Sequence, residues 1–140
     1  MATSSAIDIA VASSMRNRRL IVVAVKPTHD LDAATEQLSA YLRRSHVPVG
    51  LLVGRNVIRL LRYGYKLEPD VEVTEYPVTL AHGLVASDSP AEYADRVQSW
   101  LESLGNRWDT VDEPLRSDLL LDVVPMIQDG VVGATGPRER

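Results

Sequence analysis

With 140 residues, a mass of 15.4 kDa and a formal net charge of −4, the chain has the size of one ordinary domain with room for a real core. It has no Cys, which excludes disulfides and thiolate chemistry and fits a cytoplasmic setting, and its three His at 29, 46 and 82 lack the spacing of a structural zinc site. No apolar stretch approaches about 18 residues and no basic segment precedes an apolar one at the N-terminus, so neither a membrane span nor a signal peptide is expected.

The first expected element is a strand over Ala6–Val11 that carries one acid, Asp8. A polar turn follows, with Arg16, Arg18 and Arg19. The second strand, Leu20 to Lys26, has no polar residue before its terminal lysine and reads as a central strand buried on both faces. If the two strands pair antiparallel, Asp8 and Lys26 meet at one end of a sheet, where α/β folds build sites. A carboxylate and a compact cation there suit a divalent cation and a phosphate. His29, close behind, is a further candidate for phosphate contact.

Asp30 is the expected N-cap of a helix whose Leu31, Ala34, Leu38, Tyr41 and Leu42 recur at helical spacing. Gln37 and Tyr41, four apart, share one flank of it. Strands over Val49–Val53 and Val57–Tyr63 form a hairpin around Gly54-Arg55-Asn56. Val71–Leu80 reads as a further strand, confined to an edge or an end by Pro77. Ser89 and Pro90 open a second helix that ends at Gly105, and Asp109 to Asp122 holds a short one. The expected organisation is a single domain over 1–129, a mixed sheet of four or five strands with helices packed on it. A flexible tail over 130–140 is expected from its three glycines and Pro137.

Charge is split along the chain. Through Lys66 there are 10 Lys and Arg against 4 Asp and Glu; from Leu67 on there are 5 against 15. A basic half beside an acidic half points to a phosphate-facing surface on the first, carried by Arg16, Arg18, Arg19, Arg43, Arg44, Arg55, Arg59 and Arg62.

Ile7-Asp8, then Ala24-Val25-Lys26, then Gln37-Leu38-Ser39-Ala40-Tyr41, in this order and spacing, resembles the PD-(D/E)xK nucleases. Within them it looks most like the N-terminal nuclease domain of type I restriction enzyme R subunits. The segments Val47 to Arg55 and Val57 to Leu61 are similar to that family's next hairpin. The resemblance spans residues 6–63, under half of the chain. It implies a restriction-endonuclease-like α/β fold, a mixed sheet flanked by helices, with the family's N-terminal helix and strand truncated. It further implies DNA as partner and Mg²⁺ as cofactor. Asp8 would bind the metal, Lys26 would orient water or phosphate, and Gln37 and Tyr41 would position the nucleic-acid strand.

Two departures alter that expectation. Ala24 stands where the family carries a metal-binding acid, and Ile7 stands where it often has Pro. Glu36, beside Gln37, is the nearby acid available as a second metal ligand. It points about 100° away from Gln37, so it shares the site only if the helix is rolled. The reading that results is a DNA-binding, nuclease-like domain whose Mg²⁺-dependent phosphodiester hydrolysis is weak or lost. Its alternative is a non-catalytic interaction module, a subunit of a larger complex that docks a partner through its acidic half.

Overall fold

The computed structural model describes residues 7–13, 18–28, 30–64 and 70–135. Arg16, His29 and Lys66, named above or bounding the charge split, lie outside these.

Among the described residues six strands form one sheet in the order β5-β4-β3-β2-β1-β6. β1 (Ile9–Ser13) and β2 (Arg19–Val25) pair antiparallel. Helix α1 (Asp32–Ser45) then crosses over to β3 (Val49–Val53), which lies parallel to β2. β4 (Val57–Tyr63) and β5 (Val71–Pro77) continue as antiparallel hairpins to one edge. The chain returns across the opposite face through α2 (Pro90–Arg107), α3 (Leu115–Asp122) and α4 (Val124–Asp129). It ends with β6 (Gly130–Ala134) antiparallel to β1 at the other edge.

Strand alternation divides the core into two layers. Ile21, Val23 and Val25 of β2 face α2–α4, where Tyr93, Val97, Leu101, Leu104, Leu115 and Leu119 close over the sheet. Val22 and Ala24 face α1, against Leu31, Leu38 and Leu42. Residues Ile21 to Val25 are therefore buried on both sides, as the unbroken apolar run requires. Each buried Val or Leu contributes about 1.5–3 kcal/mol of transfer free energy.

Several boundaries differ from the sequence expectation. β1 begins at Ile9, so Asp8 precedes the strand instead of interrupting it. α1 begins at Asp32; Asp30 accepts the Asp32 N–H across a local turn at 3.2 Å and caps no helix. Ser89 does cap α2, accepting from the Glu92 N–H, but Gly105 does not stop that helix, which runs on to Arg107. Gly130–Ala134, at the start of the expected tail, forms β6 against β1. A Cβ on Gly130 would lie 2.7 Å from the carbonyl oxygens of Ala12 and Met126, so glycine here permits close strand and helix approach.

Among the described residues no helix is long and apolar enough to cross a membrane.

Candidate functional site

Asp8 and Lys26 stand at the same end of two adjacent antiparallel strands. The register pairs Ile9 with Val23, and the Asp8 N–H donates to the Val23 carbonyl at 2.8 Å. The Asp8 carboxylate then reaches across the strand end, Oδ2 accepting the Val25 N–H at 2.8 Å. Lys26 extends the ladder on the other side, its N–H donating to Val53 O at 2.9 Å. By alternation Ala24 and Lys26 belong to the α1 face, while Asp8 lies in the bend just before β1. Lys26 has no carboxylate partner among the described residues.

Two distant segments hold this strand end. Thr135 donates through Oγ1 to Ile7 O at 2.6 Å and through its N–H to Asp8 O at 3.2 Å. Tyr93 of α2 donates its hydroxyl to Gly54 O at 2.7 Å, just past β3. Burial pushes the Tyr93 phenol up to about 12. Neither residue is visible as a support in the sequence. Tyr93 reads there as an ordinary apolar helix position, and Thr135 sits in the expected tail.

The other candidates disperse around α1. Tyr41 accepts a hydrogen bond from Arg19 Nη1 at 2.7 Å, at the start of β2, the far end of that strand from Lys26. Gln37 is exposed on the same flank, about 40° from Tyr41 around the helix. Glu36 lies on the opposite flank. Asp32 and Thr35 bond Arg59 of β4, and Arg43 bonds Asp70 before β5, so that side of α1 faces β4 and β5. Glu36 falls within about 40° of Asp32 and Arg43 on the helical wheel, turned away from Asp8 and Lys26. The fold brings Asp8 and Lys26 together; Tyr41 sits at the other end of β2, and Glu36 faces another direction.

The arginines are mostly spent inside the molecule. Arg43 pairs with Asp70, Arg55 with Asp88, Arg59 with Asp32 and Glu75, and Arg62 with Asp118 and Asp122. Four arginines of the basic half thus pair with acids of the second half across the fold. Of the arginines expected on a phosphate-facing surface, Arg43, Arg55, Arg59 and Arg62 are thus engaged by carboxylates of the chain itself. A cleft of about 610 Å³ on the α2 side, lined by His82, Glu92, Asp95, Arg96, Trp100 and Arg107, is of mixed charge and holds neither Asp8 nor Lys26.

The donor set does not fit a resident Mg²⁺. That ion needs several hard oxygens, and Ala24, 2% exposed under α1, offers none. One oxygen of Asp8 is already engaged by the Val25 amide. Among the described residues no group of three or more His, Cys, Asp or Glu converges.

Comparison with the models of known protein families, with curated proteins and with solved structures finds no match for this chain.

Proposed function

We propose that the chain is a DNA-binding, nuclease-like domain of the restriction or defence kind, built on a restriction-endonuclease-like framework, in which phosphodiester hydrolysis is slow or absent. The observation that carries this is the juxtaposition of Asp8 and Lys26 at one end of an antiparallel pair, followed by the α1 crossover into parallel β3. The resemblance to PD-(D/E)xK nucleases, which rests on the order and spacing of the motifs in the sequence, expects this arrangement. Ala24 argues for loss of catalysis, because a single carboxylate competes poorly with water for Mg²⁺.

The test is a cleavage and binding assay of the unmodified chain on DNA with Mg²⁺. Salt-dependent binding with cleavage at background is the expected result. Brisk cleavage would refute the loss of activity, and no binding at any salt would refute the reading as a whole.

One observation favours an interaction module instead. The β6 edge, Gly-Val-Val-Gly-Ala, has no charge or proline to block pairing, and Val131 is 61% exposed on it. A protein-docking module would associate with a partner strand and show no DNA affinity.

A further inference from the structure

The described arginines divide sharply by partner. Beyond the pairs given above, Arg96 bonds Glu92 and Arg116 approaches Glu113. Among the described residues only Arg18, Arg19, Arg44 and Arg107 lack a carboxylate. Two of these four meet at one side chain, and a third is the chain neighbour of one of them. Arg19 donates to the Tyr41 hydroxyl, Arg44 lies 5.8 Å from the centroid of the Tyr41 ring, and Arg18 precedes Arg19 at the start of β2. All three are exposed. Tyr41 thus holds two guanidinium groups, and no acid among the described residues pairs with either. Ion pairs hold Arg43, Arg55, Arg59 and Arg62 elsewhere in the basic half, whereas the described arginines of this corner have none.

From this residue of charge we infer that the corner formed by Arg18, Arg19, Tyr41 and Arg44 is the anchoring site for a nucleic-acid backbone. The inference rests on the DNA-binding reading and adds where the strand is held. Guanidinium forks match phosphate oxygens bidentately, and an arginine already oriented by a tyrosine loses less freedom on binding. Arg19 and Lys26 bound the same strand and are about 23 Å apart at roughly 3.3 Å per residue. Gln37 lies one turn of α1 before Tyr41 on the same flank. A duplex rising about 3.4 Å per nucleotide would cover that span in about seven nucleotides. The anchor is therefore separate from the Asp8–Lys26 end, and the paired arginines of β4 take no part.

The experiment is fluorescence polarisation of a labelled mixed-sequence duplex, titrated with the full chain over a range of salt. Four proteins are compared: the unmodified chain, Arg18→Gln/Arg19→Gln/Arg44→Gln, the matching triple Lys variant, and Arg107→Gln. Circular dichroism and urea unfolding confirm that each is folded. Expected are a loss of at least tenfold in affinity for the triple Gln variant and a salt slope shallower by about 0.9 per phosphate contact removed. The Lys variant recovers the slope and part of the affinity, and Arg107→Gln binds unchanged. If the unmodified chain binds and the triple Gln variant binds equally well, the anchor is elsewhere and only this inference fails. If the unmodified chain does not bind, the DNA-binding reading fails with it. If polyglutamate displaces the duplex at equal charge concentration, the corner is an acidic-protein site and the nucleic-acid assignment is overturned.

Discussion

The Asp8 carboxylate accepts the backbone N–H of Val25 at 2.8 Å, finishing a ladder that β1 is too short to complete. The residue proposed for chemistry therefore has a structural task of its own. Asp8→Ala should cost about 1–3 kcal/mol, the penalty for a buried amide left without an acceptor. Asp8→Asn keeps an acceptor oxygen and should cost less than half as much. Urea unfolding of both variants checks this, and equal losses would show that the charge matters more than the bond.

Ala24 sits two residues before Lys26 on the same face, packed beneath α1. Ala24→Glu should lower stability by about 1–3 kcal/mol through overpacking. If its carboxylate reaches Asp8, saturating Mg²⁺ should restore part of the loss by binding the folded state alone. Metal-dependent cleavage should then rise at least tenfold, about 1.4 kcal/mol. Adding Lys26→Ala should remove the gain. Melting curves with and without Mg²⁺, beside a plasmid-nicking assay, read both effects. A folded Ala24→Glu protein indifferent to Mg²⁺ would count against the nuclease-like site.

Arg62 of β4 ties the sheet to α3, with Nε 2.5 Å from Asp122 and Nη2 3.3 Å from Asp118. Tyr76 of β5 donates its hydroxyl to the same Asp118. Arg62→Gln should cost about 1.5–3 kcal/mol, the range for hydrogen bonds to charged groups. Tyr76→Phe should cost about 1 kcal/mol. Because both act on Asp118, the double variant should lose a different amount from the two singles added together. Denaturant unfolding of the four proteins in the cycle measures that coupling.

Two phenols titrate high. Burial first, and then the hydrogen bond to Asp118 and its charge, push Tyr76 up to about 12; burial pushes Tyr93 up to about 12. Both lie above the ordinary value of 10.0. The folded state therefore favours the neutral phenols. Their contribution is complete below pH 10 and is lost as pH rises through about 12. Unfolding free energy should fall across that window while phenolate absorbance shows two late-titrating tyrosines. Tyr93→Phe should flatten the fall, although it costs about 1 kcal/mol at neutral pH through the lost bond to Gly54 O.

Gly130 and Gly133 occupy the same edge strand in different surroundings. A Cβ at 130 meets backbone oxygens at 2.7 Å, whereas a Cβ at 133 meets nothing within 4 Å. Gly130→Ala should destabilise by about 1–3 kcal/mol. Gly133→Ala should be neutral or mildly stabilising, because it restrains the unfolded chain. Thermal unfolding of the pair tests whether β6 docks as described.

The sequence by itself determined the elements whose signal is local. The unbroken apolar run of β2, the helical spacing of Leu31, Leu38 and Leu42, the Ser89-Pro90 helix start and the edge position of the Pro77 strand could all be read from neighbouring residues. Asp8 and Lys26 at a common strand end also followed, because one hairpin joins them. Tertiary structure decided what depends on distant partners. Gly130–Ala134 carries weak strand propensity and becomes β6 only because β1 offers a free edge. Thr135 reaches Ile7 across 128 positions. Glu36 is turned away from Lys26 because α1 packs with Asp32, Thr35 and Arg43 toward β4 and β5. The charge split lay open in the sequence, but its meaning did not. Long-range pairing cancels Arg43, Arg55, Arg59 and Arg62 against acids brought near by the fold, while Arg18, Arg19 and Arg44 have no carboxylate partner among the described residues. Charge adds along a chain, but the field at a surface depends on which charges the fold sets side by side.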